Sequence, residues 1–215
     1  MQVKVTIPTS LKDIKLSQYQ RFIKEIKDIE DEDFIGRKIV SIFCNIPEHL
    51  VDKVERKTYN KIVNDVSQVL QQDANVITKF NLDGKFYGLI PSIDSMTVGE
   101  QADLDAMYND YEKRDKVMAI LYRPITMQSR GKYMIAEYTG KEEPLDVSMD
   151  IVKGADVFFC NILNDCISYI QNCIEKEVTQ TKKLQVLEKS GIGTAQFMES
   201  LKETFSILQQ QLNYH

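Results

Sequence analysis

The stretch VITKFNLDGKFYGLI, residues 76–90, decides the fold class. Val76, Thr78 and Phe80 run with a period of two into Asp83-Gly84, and Phe86 to Ile90 continue extended on the other side. A two-residue type I′ turn needs positive φ at both central positions, which Asp-Gly supplies cheaply, so the stretch predicts a tight β-hairpin. Its neighbours on both sides carry helical periodicity, and a hairpin set among helices makes the chain α+β.

Upstream, residues 1–72 read as one strand followed by helices. Val3, Val5 and Ile7 alternate with Gln2, Lys4 and Thr6, the pattern of a half-buried strand, which Pro8 ends. Ser17 is placed to cap a helix whose apolar face is Tyr19, Phe22, Ile23, Ile26 and Ile29. The acids from Glu30 to Asp33 suit the positive end of a second helix, and Phe34 to Phe43 supply its buried face. Pro47 opens a further helical turn, and Thr58 to Gln72 repeat the amphipathic pattern through Tyr59, Ile62, Val63, Val66, Val69 and Leu70.

Downstream, Thr97 precedes Glu100 by three positions, a capping box that starts an acidic helix through Leu104, Met107 and Tyr111. Lys116 to Leu121 is apolar enough for the core, and Pro124 turns the chain out of it. A second hairpin follows, with arms Pro124–Gln128 and Lys132–Tyr138 around Ser129, Arg130 and Gly131. Ser148 then caps a long helix containing Ala155, Phe158, Phe159, Ile162, Leu163, Cys166, Ile167, Ile170, Cys173 and Ile174. Gly191 and Gly193 interrupt helicity before Thr194 to Tyr214 resume it, with Phe197, Leu201, Phe205, Leu208 and Leu212 at steps of three and four. The expectation is one predominantly helical α+β domain over 1–215, in three parts: helical 1–72, hairpin and acidic helix 73–147, and a C-terminal helical hairpin 148–215.

Composition narrows the function classes. Hydrophobic residues at 43% and charged residues at 27% are ordinary globular usage, which excludes a disordered or fibrous chain. The net charge is −5, and residues 73–115 hold nine acids against four bases with no basic stripe along the sequence, so direct nucleic-acid binding is not expected. Residues 1–7 lack the charged and apolar regions of a secretory signal, so export by that route is not expected. Ala155 to Ile174 is broken by Asn161, Asn164, Asp165, Ser168, Gln171 and Asn172, which argues for a buried helix over a membrane span. Of four cysteines, Cys160, Cys166 and Cys173 share one predicted helix, where mutual disulfides are sterically disfavoured; with Cys44 they read as reduced core thiols.

Catalytic signatures are missing. His49 and His215 are the only imidazoles, too few for a histidine triad or a zinc hydrolase. The cysteines never form Cys-x-x-Cys. Gly84-Lys85, Gly131-Lys132 and Gly140-Lys141 lack phosphate-loop spacing and read as turns, and Gly191-Ile192-Gly193 lacks the third glycine of a dinucleotide fingerprint. Asp94, Glu100, Asp103 and Asp105 gather carboxylates near a loop, where helix capping explains them without a cation. No catalytic residue, cofactor or metal ligand is therefore assigned.

Phe80-Asn81-Leu82-Asp83-Gly84-Lys85-Phe86-Tyr87, Thr97-Val98-Gly99-Glu100-Gln101-Ala102-Asp103-Leu104 and Tyr122-Arg123-Pro124-Ile125, with the opening Ile7-Pro8-Thr9-Ser10-Leu11 and Leu16-Ser17-Gln18-Tyr19-Gln20, together resemble proteins encoded among the virion and tail-morphogenesis genes of tailed bacteriophages. The resemblance spans about residues 3–170. It implies a non-enzymatic tail, neck or baseplate component, or a transient tail assembly chaperone, whose partners are other phage structural proteins or further copies of itself. The implied location is the virion, assembled in the cytoplasm of the bacterial host.

On that reading the candidate interaction residues are Phe158, Phe159, Ile162, Phe197, Leu201, Phe205, Leu208 and Leu212, whose faces pack partly within the chain and partly on other subunits. Two other classes of function carry their own residues. An intracellular adaptor would steer a basic partner through acidic residues 94–115. An enzyme would use Tyr122, Arg123, Lys132, Tyr133 and Glu137 on the second hairpin, converging on an anionic ligand.

Overall fold

The structure is a computed structural model and describes residues 5–92, 96–162, 164 and 168. The chain divides into two compact units, Met1–Asn161 and Ile162–His215; the first is α+β. Its helices are α1 (Leu16–Ile26), α2 (Glu32–Phe43), α3 (Glu48–Val51), α4 (Arg56–Leu70), α5 (Val98–Met107), α6 (Arg114–Leu121) and α7 (149–161). Its strands are β1 (Lys79–Leu82), β2 (Lys85–Leu89), β3 (Tyr122–Ser129) and β4 (Lys132–Ile135), in one antiparallel sheet of order β1-β2-β3-β4.

Both hairpins form where the turn chemistry puts them. Asp83 and Gly84 have φ of 49° and 84°, and Arg130 and Gly131 have 49° and 81°, so each connection is a two-residue turn with positive φ at both central positions. The second turn is one residue tighter than the expected Ser129-Arg130-Gly131, because Ser129 still pairs with Lys132. Asn81 Oδ1 accepts the Gly84 N–H and supports the first turn. All three Gly-Lys pairs lie in turns, Gly140 having a φ of 73°.

The start of the chain departs from expectation. Residues 5–9 carry no regular secondary structure, and the strand predicted over 2–8 is not seen among the described residues. Val5 and Ile7 do pack against the core, so the alternation marks a buried side without a pairing partner. Ser17 is not the cap of α1, which begins at Leu16 after Lys15, whose N–H is taken by the Gln18 side chain. The free donors of the first turn are met from far along the chain: Asp146 accepts the Ser17 N–H at 2.8 Å and its Oγ–H at 2.9 Å. Around it, Leu16 N–H donates to the Val147 carbonyl and Met149 N–H to that of Ile14, tying the entry of α1 to the entry of α7 through a Lys15–Ser148 bridge.

Two other helix starts follow local rules. Asp31 accepts the N–H groups of Asp33 and Phe34 at the head of α2, and Thr97 with Glu100 forms the expected capping box of α5. The core runs from Ile14 and Leu16 through Val40 and Val66 to Val117, Met118, Leu121 and Tyr122, all at most 1% exposed. α6 passes into β3 with no intervening loop, so buried helix continues directly into the sheet.

A charge cluster joins α1, α2 and α3. Arg21 Nε at 2.6 Å and Lys38 Nζ at 2.9 Å both reach the Glu25 carboxylate, and Lys38 also reaches Glu48 at 2.8 Å. Arg21 first, then Lys38, hold the Glu25 carboxyl below its ordinary value of 4.5. A depressed carboxyl contributes stability that is complete above its unfolded value and is lost as pH falls through the folded one. The stability difference between the wild type and Glu25→Gln, read by urea denaturation, is therefore expected to be constant down to about 4.5 and to shrink below it.

Candidate interaction site

β2 and β3 pair only over Tyr87–Leu89 and Tyr122–Pro124, whereas β3 continues against β4 as far as Ser129 and Lys132. Past Pro124 the two hairpins therefore diverge, helped by a bulge between Ile125 and Met127 that increases local twist. The gap is a groove of about 410 Å³ lined by Lys85, Phe86, Pro124, Ile125, Met127 and Gln128. Phe86, Met127 and the cross-strand partner of Met127, Met134, are 61%, 62% and 62% exposed. Residues 79–89 and 124–135 hold Lys79, Lys85, Arg130 and Lys132 against the single acid Asp83. The hairpin ends are thus apolar and basic in a chain of net charge −5.

The base of this surface is held by buried polar contacts. The Tyr122 hydroxyl donates to the Ile77 carbonyl at 2.7 Å, and the Tyr133 hydroxyl to those of Leu89 at 2.7 Å and Thr78 at 3.2 Å. Burial raises both phenols above their ordinary value, so they act as neutral donors. Gly88 leaves room for Tyr133, whose Cε2 would lie 2.4 Å from a Cβ there. On the face of β3 that carries Gly88's partner, Arg123 Nη1 meets Glu100 Oε1 at 2.6 Å, with the residues 8% and 1% exposed, while Glu100 Oε2 accepts the Thr97 N–H.

Tyr122, Arg123, Lys132, Tyr133 and Glu137 do not converge. The two phenols bind carbonyls, Arg123 is held by Glu100, and Lys132 and Glu137 are exposed. The acids of 96–115 are mostly spent inside the unit. Glu100 is buried, Asp103 accepts the Tyr138 hydroxyl at 2.6 Å, Asp110 caps the turn at Tyr111–Lys113, and Asp115 accepts from Gln20. Phe158 and Phe159 are half-buried against the core, Phe159 edge-on to Tyr108 at 5.1 Å. Ile162 opens the second unit and is half-buried; Phe197, Leu201, Phe205, Leu208 and Leu212 lie outside the described residues.

A second polar centre was not visible in the sequence. Arg114, 5% exposed, lies 4.6 Å from the ring centres of both Tyr108 and Tyr111, with Nη1 3.4 Å from Asp156 Oδ1. Burial raises the Asp156 carboxyl against the opposing pull of Arg114, and pushes the Tyr108 phenol up to about 12. The Arg114–Asp156 pair fastens α7 to α6, although Arg114 Nε is buried without a hydrogen-bond partner among the described residues.

Cys44 is buried, its thiol pushed up to about 11 by burial, and is free. Cys160, expected in the core, is exposed on α7 and also free; Cys166 and Cys173 lie outside the described residues. Among the described residues no cluster of three or more His, Cys, Asp and Glu could hold a metal, and no helix is long and apolar enough to cross a membrane. No protein-family model, curated protein or solved structure matches the chain.

Proposed function

We propose that this chain is a non-enzymatic structural or assembly protein of a tailed bacteriophage, and that it packs against other virion proteins in the tail, neck or baseplate through the diverging ends of its two hairpins. The carrying observation is the exposure of Met127, in the groove wall, and of its cross-strand partner Met134 on one face of a sheet whose base is tightly bonded, with Phe86 exposed on the opposite face. Large apolar side chains grouped on a rigid surface favour burial against a partner, at about 25 cal/mol for each Å² removed from water. The segments that carry the phage resemblance support the same place: Phe80–Tyr87 forms most of the first hairpin, Thr97–Leu104 begins α5 behind it, and Tyr122–Ile125 joins the hairpins.

Mass spectrometry of purified, intact particles tests the reading, with peptide abundance compared against the major capsid and tail proteins. A fixed small stoichiometry is the expected result. Absence from particles, with presence in infected-cell lysate bound to a tail protein, assigns the transient chaperone role instead. Absence of any association overturns the phage-assembly reading.

A further inference from the structure

The groove between the hairpins has a chemical complement on the same chain. Between α1 and α2, residues 28–33 are Asp28-Ile29-Glu30-Asp31-Glu32-Asp33, five acids and no base around one isoleucine. The whole run is exposed, Ile29 to 39%. Asp31 is occupied in capping α2 and Asp33 lies 3.5 Å from Arg56, but among the described residues no hydrogen bond or ion pair engages the side chains of Asp28, Glu30 or Glu32. The hairpin ends offer the reverse: exposed Phe86, Met127 and Met134, with Lys85 in the groove wall and Arg130 and Lys132 at the turn beside it.

The two patches sit on different elements. α1 is fixed to the start of the run Tyr111–Ser129, where Tyr19 meets the Tyr111 ring at 5.8 Å and Gln20 donates to the Tyr111 and Glu112 carbonyls. The groove lies at the far end of that run, past Pro124. A loop on one copy seated in the groove of another either closes as a reciprocal two-fold pair or propagates head to tail into a ring or a filament.

We infer that the groove between the hairpins receives residues 28–33 of a second copy of this chain, Ile29 entering beside Met127 while Glu30 and Glu32 face Lys85 and Lys132. Opposite charges on the rims steer and orient the encounter, and apolar burial in the groove holds it. The inference rests on the reading that the hairpin ends are an interface and is independent of where the assembled protein resides.

Sedimentation of the purified full chain over a range of concentration and salt tests it, with two charge-reversed variants: E30K/E32K on the loop and K85E/K132E on the groove. Among the described residues all four side chains lie outside the hydrogen bonds and ion pairs of the fold, and circular dichroism checks that each variant is folded. The wild type is expected to associate with growing concentration and to dissociate as salt screens the rims. Each variant alone is expected to be monomeric, since like charges then meet. Mixing the two variants equally is expected to restore association, because each loop then faces an oppositely charged groove. A photo-crosslinker in place of Met127 should capture residues 28–33 of another copy.

A wild type that stays monomeric at low salt overturns the inference, as does association unchanged in both variants or a crosslink to a different segment. Binding of a single-stranded oligonucleotide or of another protein by the groove, with the chain itself monomeric, assigns a different occupant and overturns it too. Particle composition is a separate measurement: self-association without presence in particles removes the virion reading and leaves this one standing, and the reverse result does the opposite.

Discussion

Arg123→Met is expected to destabilise the first unit by about 3–5 kcal/mol, the typical cost of removing one partner from a buried ion pair. Glu100 is 1% exposed and, among the described residues, its Oε1 has only the Arg123 guanidinium at 2.6 Å, so truncation strands a buried carboxylate. The double variant E100Q/R123M is expected to recover most of the loss. Glutamine at position 100 keeps the reciprocal bond to Thr97, and the methionine fills the space of the arginine stem without a charge. Urea denaturation of the wild type, both single variants and the double variant closes the cycle. Equal losses in R123M and in the double variant would show that the arginine acts through packing alone. Because Arg123 pairs with Gly88 across β2–β3, the loss is expected to loosen the junction that holds the two hairpins in one sheet.

Gly154→Ala is the second large effect, expected at about 1–3 kcal/mol of destabilisation from overpacking, against a gain of about 1 kcal/mol from helix propensity. A Cβ at position 154 of α7 would lie 2.5 Å from the Asn75 carbonyl oxygen and 3.3 Å from its carbonyl carbon. Backbone atoms cannot rotate away, and this stretch of chain is further pinned where the Lys153 ammonium donates to the Leu70 carbonyl at 2.6 Å. Gly36→Ala is the matched control in α2. There the new methyl meets the Tyr59 hydroxyl oxygen at 2.4 Å, the far end of a side chain that can swing, so a near-neutral result is expected. Thermal melting separates the two, at about 2–4 °C for each kcal/mol in a unit of this size.

What the sequence made legible was local chemistry. Asp83-Gly84, the Thr97–Glu100 box and the acids at the head of α2 each place both halves of an interaction within four residues, and each is found as expected; that Asp31 in particular caps α2 the structure adds. What failed or went unseen depends on separation. Val5 and Ile7 announce a buried side, but alternation carries no information about a pairing strand. The cap of α1 comes from Asp146 and the counter-charge of Arg123 from Glu100, neither of which a local rule can reach. The long apolar helices drew attention away from Met127 and Met134, which face each other near a hairpin turn where strands of this length normally show polar residues. Two methionines at cross-strand positions beside Arg130-Gly131 were the available signal.

The clasp between the two helix entries also bears on how the chain emerges during synthesis. Asp146, which completes the first turn of α1, follows Ser17 by 129 residues. At translation rates of roughly 5–20 residues per second it appears on the order of ten seconds later. Through that interval the first turn of α1 lacks its distant acceptors, and the strap from Leu16 to Val147 cannot close. The unit therefore locks late in its own production, when its last helix emerges to fasten its first.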